Sequence, residues 1–244
     1  MRMWDRFDFK AVSLFSQNQE RAREIKEEFK RVGLTDVIPF WSSPDPYSNI
    51  LLSHVKRNRG CSDTYFFVTL KHRNIVRCAL ESGAKRALIF EDDIRFLNDL
   101  NLVERKLDRF PEDSDIVLLD WFRKDIGTNV KGDTLIKSSL ESDACYVKFT
   151  GIDFRSSGAY SLSRKGMEWY LSNLELPAKS VSSLRTCDEY WRSVPTDGSL
   201  NSYVAVPQLC VQGCLGGRTS HSWMKSTYAA GGTNYSDYNI QEGA

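Results

Sequence analysis

The sequence predicts an α/β fold in which helices flank a mainly parallel central sheet. Residues 11–15 form a short apolar run between polar residues, which is typical of a buried strand. Residues 19–32 follow with apolar positions three or four apart, and Gly33 stands where a helix C-terminal cap belongs. Residues 37–40 form a second apolar run, so the chain opens as a β-α-β unit, and such units build parallel sheets.

The same alternation continues along the chain, with strands and helices following one another. Long stretches over 42–66 and 123–155 carry Pro, Gly or weak alternation and are predicted as loops and hairpins. No repeat or linker divides the sequence, so we expect one domain over 1–244, with a flexible tail from about 225. The further elements predicted are a helix over 72–82, strands over 87–90, 116–119, 159–162 and 203–206, and a helix that Ser163 caps.

Composition narrows the class of protein. Hydrophobic residues make up 41% of the 244 residues and charged residues 27%, as in ordinary globular proteins. The net charge is only +1, whereas a nucleic-acid binder shows a basic excess, so we expect no nucleic-acid partner. No apolar run approaches the roughly 20 residues that span a bilayer. The N-terminus also lacks the apolar core of a signal peptide, and we therefore expect a cytoplasmic protein without a membrane span.

Six cysteines are scattered along the chain at irregular spacing. A chain of this length does not need disulfide staples, and a cytoplasmic location favours reduced thiols. Cys210 and Cys214 could both bind zinc, but no second pair at regular spacing accompanies them.

The most informative residues are Glu91, Asp92 and Asp93, which directly follow the predicted strand 87–90. Three successive carboxylates repel one another, and a divalent cation is the usual compensation. Ligands of open α/β sheets bind at the carboxyl ends of strands, and a cation there can bridge the phosphates of a nucleotide. The alternative is that these acids cap a helix or face solvent.

Residues 87–94, with this acidic triplet, resemble the central motif of glycosyltransferase family 25. That family includes bacterial lipooligosaccharide glycosyltransferases and the collagen galactosyltransferases. The chain departs from the family at Phe67-Val68, where the family has Gly-Cys, and at Lys71, where it has Ser. Further patches that resemble the family are residues 12–14 with Glu20-Arg21, Lys71-His72 at the position of Ser-His, residues 157–163, and Cys187-Asp188.

The resemblance implies a GT-A fold, a Rossmann-like nucleotide-binding sheet with a DxD-type metal motif. Glu91 and Asp93 would be the first and last acids of that motif, with Asp93 the direct ligand of Mn²⁺ or Mg²⁺. His221, near the end of the chain, would be a further metal ligand, although a surface or core role is equally compatible with its position. Three further residues would contribute to the nucleotide-sugar site, namely Ser13, Arg21 and Gly158.

Asp188 and Glu189 are the candidates for the catalytic base. Thr186 to Glu189 has the spacing of a capping box, in which Glu189 folds back onto the start of its helix. Asp188 would then point outward and stay ionised near the helix N-terminus. Its alternative role is a favourable interaction with the helix dipole alone.

The resulting function hypothesis is an inverting, metal-dependent glycosyltransferase. It would move a sugar from a nucleotide-sugar donor, a UDP-sugar in our prediction, to a hydroxyl of a glycan or protein acceptor. Two alternatives stay open. One is a metal-dependent phosphodiesterase or nuclease, which also places acids at strand ends. The other is a non-catalytic nucleotide-sugar-binding protein of the same fold.

Overall fold

The computed structural model describes residues 3–14, 19–41, 63–121, 145–149, 157–174, 191, 194–195 and 197–212. The helices of this part are α1 (Gln19–Arg31), α2 (Asp63–Glu81), α3 (Leu100–Asp108) and α4 (Arg164–Leu174). The strands are β1 (Phe9–Leu14), β2 (Ile38–Trp41), β3 (Arg86–Glu91), β4 (Ile94–Phe96), β5 (Ile116–Leu118), β6 (Tyr146–Lys148), β7 (Ala159–Ser163), β8 (Ser202–Ala205) and β9 (Cys210–Gln212).

Seven strands form a central sheet in the order β2-β1-β3-β7-β5-β8-β6. Strands β1, β2, β3, β5 and β8 run in one direction, because β1 pairs parallel with β2 and β3, β5 pairs parallel with β8, and β7 is antiparallel to both β3 and β5. Only β6 and β7 of this sheet run the other way. The prediction of a mainly parallel α/β sheet is therefore confirmed. Strands β4 and β9 form a separate antiparallel pair.

Helices cover both faces of the sheet, which explains why its central strands are continuous apolar runs. On one face, Leu88 and Phe90 of β3 pack in a cluster with residues of α1 and α3. On the other face, Ala87 and Ile89 pack in a cluster with residues of α2 and α4. All four of these β3 side chains are fully buried. This two-sided burial fixes the end of β3, which carries the acidic triplet.

Three predicted helix ends are confirmed. Gly33 and Gly83 adopt φ values of 67° and 79°, the left-handed conformation in which glycine ends a helix without steric cost. The backbone N–H groups of Leu34 and Ala84 close these caps by hydrogen bonds to carbonyls in the last turns of α1 and α2. At the start of α4, the Ser163 hydroxyl accepts a hydrogen bond of 3.1 Å from the Gly166 N–H.

One secondary-structure prediction was wrong, and two short strands were not predicted. Helix α2 begins at Asp63, nine residues before the predicted start, so residues 63–66 are not loop. Val68 packs against the core while Thr69 and Lys71 are buried, and the polar residues interrupted the apolar periodicity on which the prediction depended. Strands β4 and β9 were missed because each has only three residues and one of them is polar, so neither strand forms an apolar run.

Several other predictions concern residues outside the described ranges. They include the loop over 42–62, most of the stretch over 123–155, and the tail from 225, so the single-domain prediction stays a prediction. No helix in the described ranges is long and apolar enough to cross a membrane. The three cysteines within those ranges, Cys78, Cys145 and Cys210, are free thiols.

Candidate functional site

The acidic triplet lies at the point where the winding of the sheet reverses. From β1 the chain passes through α1 to β2 on one side, and it later returns through α2 to β3 on the other side of β1. The carboxyl ends of β1 and β3 are neighbours, with Ser13 opposite Glu91 in the register. Crevices outside the strand ends at such a switch point are where open α/β sheets bind ligands.

Glu91 is the last residue of β3, and its carboxylate has partners on three sides. The Ser157 hydroxyl donates a hydrogen bond to Oε1, and the Gln212 side-chain amide donates one of 3.0 Å to Oε2. The His72 Nε2 atom lies 3.5 Å from Oε1, a distance that suits an electrostatic contact better than an ordinary hydrogen bond. Burial raises the pKa of Glu91, but its contacts with His72, Ser157 and Lys71 outweigh burial and hold this pKa below its usual value.

His72 is fully buried beneath the end of β3. Its Nδ1 atom is 2.7 Å from the Tyr160 hydroxyl, and the two rings stack with centroids 5.7 Å apart. If the Tyr160 hydroxyl donates to Nδ1, the Nε2 atom carries the proton of the neutral ring and faces Glu91. In that tautomer the pair presents an N–H group to the carboxylate from inside the core.

Asp92 and Asp93 form the turn between β3 and β4, and Arg21 in the first turn of α1 faces both. The Arg21 Nη1 atom lies 3.4 Å from Asp92 Oδ1 and 4.0 Å from Asp93 Oδ2. Asp92 is almost completely buried, whereas 17% of the Asp93 side chain is exposed. One guanidinium is thus shared between two carboxylates.

Asp93 is the least compensated acid of the triplet. Its Oδ1 atom is buried and has no hydrogen-bond partner among the described residues. Burial, together with the negative charges of Glu91, Asp92 and Asp120, raises its pKa well above the usual value, and Arg21 offsets only part of this. A carboxylate in this state favours either a proton or an added cation.

Lys71 supplies a second positive charge next to the triplet. Its side chain is buried, and its ammonium group donates a hydrogen bond of 2.7 Å to the carbonyl of Leu14 at the carboxyl end of β1. Burial lowers the pKa of Lys71, while the charges of Asp92 and Glu91 raise it in part. Lys71 therefore lies inside the candidate site.

Asp120 adds a fourth acid from the neighbouring part of the sheet. It lies two residues after the end of β5, is fully buried, and contributes to the raised pKa of Asp93. Gly158 leaves the space that this side chain occupies, because a Cβ atom there would overlap Asp120 Oδ2 and come within 2.8 Å of Gln212 Cγ. The close approach at Gly158 is thus made by two protein side chains in this structure.

The structure brings together most of the residues predicted for the site. Arg21 and Gly158 lie beside the triplet, and the Ser13 hydroxyl is buried next to it without a hydrogen-bond partner among the described residues. Contact of these residues with a nucleotide sugar stays a prediction. Three predicted site residues, Asp188, Glu189 and His221, lie outside the described ranges.

The predicted site omitted several residues that the structure places there. Asp120 carries the same signal as Glu91, an acid directly after an apolar run, and could have been found in the sequence. Lys71 and His72 were noted only as part of a resemblance. Ser157 was likewise noted only within a resembling patch, and Gln212 carries no sequence signal, because a single glutamine is common in any strand.

In the ranges that the structure describes, no three His, Cys, Asp or Glu side chains are arranged to hold a metal ion.

Neither a protein-family model nor a curated protein matches the chain. Among solved structures, it is similar to mouse xyloside xylosyltransferase 1 in its apo form, with 16% sequence identity and a TM-score of 0.29. The likeness covers 67% of this chain and 58% of that structure. At this TM-score it carries no argument about fold or chemistry.

Proposed function

We propose that the chain is a GT-A-type glycosyltransferase. It would transfer a sugar from a nucleoside diphosphate sugar, a UDP-sugar in the simplest case, to a hydroxyl of a glycan or protein acceptor. The observation that carries this proposal is the buried Asp93 Oδ1 atom, which lacks a hydrogen-bond partner among the described residues. It belongs to an acidic turn at the switch point of a mainly parallel sheet, where such folds bind nucleotides.

The balance of charge around Asp93 supports a divalent cation, Mn²⁺ or Mg²⁺. Four carboxylates, those of Glu91, Asp92, Asp93 and Asp120, interact there, and the basic side chains beside them are Arg21 and Lys71. Asp93 is the acid that these contacts compensate least, because its Oδ1 atom has no hydrogen-bond partner among the described residues. An added divalent cation would compensate its charge.

The described side chains fit a cation that is coordinated partly by the protein and partly by the phosphates of a bound nucleotide. Ions of this kind are usually bound by one or two carboxylates together with phosphate oxygens and water, and need no cage of protein ligands. Asp93 would be the protein ligand in that arrangement. His221 stays the candidate for a further ligand, since it follows Gln212 by only nine residues and Gln212 contacts Glu91.

The transfer itself would need little covalent work from the protein. The acceptor oxygen attacks the anomeric carbon, the bond from that carbon to the phosphate oxygen breaks, and the acceptor proton passes to a carboxylate base. Asp188 stays the candidate for this base, with Glu189 as the alternative, and the reaction would invert the anomeric centre. A bound divalent cation would stabilise the negative charge that develops on the departing diphosphate.

The test is a screen of nucleotide sugars for turnover by the full chain with manganese. Without an acceptor, a glycosyltransferase that hydrolyses its UDP-sugar donor cleaves the bond at the anomeric carbon and releases UDP and free sugar. A phosphodiesterase would instead cleave at phosphorus and release UMP and a sugar phosphate. Detection of UDP would support the proposal, whereas UMP would replace it with the phosphodiesterase alternative.

Two variants complete this test. Asp93→Asn should abolish manganese-dependent turnover while the protein stays folded. Glu104→Gln removes one carboxylate from an exposed position on α3 and should leave turnover unchanged. Binding of UDP without turnover of any donor would indicate a non-catalytic binding protein.

A further inference from the structure

Glu91 and Asp93 are the first and last residues of the acidic triplet, but they differ in the number of hydrogen bonds that their carboxylates accept. A carboxylate can accept hydrogen bonds at about four positions. At Glu91, Ser157 and Gln212 use two of them, and His72 lies close to Oε1. At Asp93, by contrast, Oδ1 has no hydrogen-bond partner among the described residues.

Gln212 connects both ends of the turn that carries Asp92 and Asp93. Its side-chain amide donates to Glu91, the residue before the turn, at 3.0 Å. Its backbone lies opposite Ile94, the residue after the turn, in the antiparallel β4–β9 pair. Because Gln212 is hydrogen-bonded to Glu91 and paired with Ile94, the turn between these two residues is fixed at both of its ends.

We propose that Glu91 is a positioning residue, which clamps the Asp92–Asp93 turn against β9 and Ser157, and that Asp93 is the acid of the triplet that contacts the cation. The proposal rests on the metal-dependent function proposed above and assigns different tasks to its two outer acids. For a cation to bind Glu91 as well, it would have to compete with the hydrogen bonds that Ser157 and Gln212 donate to both carboxylate oxygens.

The chemistry of the two tasks predicts different responses to substitution. A clamp needs hydrogen-bonding groups of the right shape but no charge. Glu91→Gln keeps an acceptor for Ser157, and the Gln212 amide can turn over to accept from the new amide. A ligand of a divalent cation contributes its negative charge as well as an oxygen atom, so a neutral amide at that position would weaken binding strongly.

The experiment measures the affinity of the full chain for manganese with UDP, and the melting temperature in EDTA. Glu91→Gln should retain an affinity close to that of the unsubstituted protein. Glu91→Ala should melt roughly 4 to 10 °C lower, because the donors on Ser157 and Gln212, which are buried and partly buried, lose their acceptor. It should also bind manganese about 10- to 100-fold more weakly, as is typical when a residue that orients a metal ligand is lost. Asp93→Asn should lose the manganese response without any loss of melting temperature.

The rescue by glutamine decides between the two tasks. If Glu91→Gln lost the manganese response as completely as Asp93→Asn while melting normally, Glu91 would be a cation ligand and the proposal would be overturned.

If the unsubstituted protein did not respond to manganese and UDP, the proposed function would fail, and the clamp would be decided in EDTA. Glu91→Ala and Gln212→Ala should then lower the melting temperature by less in combination than the sum of their separate effects. Additive losses would overturn the clamp.

Discussion

Replacing Asp93 with asparagine should stabilise the metal-free protein, and the gain should grow as pH rises. The pKa of Asp93 is raised well above its ordinary 3.8 by burial and by neighbouring acids. At a pH between 3.8 and the raised pKa, Asp93 keeps its proton in the folded state but has released it in the unfolded state. The free energy of unfolding therefore falls as pH rises through this window. Above the raised pKa, the folded protein has lost all of the stability that ionising this carboxyl costs. Asparagine does not titrate and avoids that cost.

The size of the effect follows from the surroundings of the carboxylate. Arg21 is 4.0 Å from Oδ2, but it lies closer to Asp92, at 3.4 Å, and so compensates Asp93 only in part. A buried neutral group without a partner costs about 1 to 3 kcal/mol and a charged one costs more, and we take the added cost of the charge, which asparagine removes, to be of the same order. For a chain of this length, each kcal/mol moves the melting temperature by about 2 to 4 °C, so the variant should melt roughly 2 to 12 °C higher above the window.

Thermal denaturation in EDTA, from about pH 4 to about pH 8, measures this difference directly. The melting temperatures of the two proteins should approach each other toward the acid end, where Asp93 becomes protonated in the unfolded state as well. Glu104→Gln, which removes an exposed carboxylate, should show no comparable trend. An Asp93→Asn protein that melted lower than the unsubstituted protein at every pH would refute the reasoning, because Asp93 would then have a stabilising partner.

Three further predictions test other parts of the site. Gly158→Ala should lower stability by about 1 to 3 kcal/mol through overlap with Asp120, and pairing it with Asp120→Ala should recover part of the loss in thermal denaturation. Lys71→Met should melt lower, because a backbone carbonyl loses its donor, yet titrations should show tighter manganese binding, because a repelling charge is gone. Asp188→Asn should reduce turnover about 10²- to 10⁴-fold with nucleotide affinity intact, whereas Glu189→Gln should be mild; the reverse ranking would make Glu189 the base.

The elements that the sequence predicted correctly are those in which local chemistry and the global fold agree. Strand β3 is apolar on both faces and ends in acids, which specifies a buried strand with a polar carboxyl end. Helix α1 has an apolar stripe and a glycine cap, so both its register and its end could be predicted. The acidic triplet was recognisable because three adjacent charges after a buried strand have a cost that needs a compensating partner.

The residues that compensate those charges could not be predicted in the same way. The ammonium of Lys71 binds a carbonyl 57 positions earlier in the chain, and the amide of Gln212 binds Glu91 from 121 positions later. Nothing local distinguishes this lysine or this glutamine from a solvated one, since their roles exist only once β1, β3 and β9 converge. The positions of the acids can be found in the sequence, but the side chains that compensate their charge are brought together only by the fold. Among the described residues, Asp93 is the acid with the least compensation. The manganese response of Asp93→Asn therefore tests the proposed function most directly.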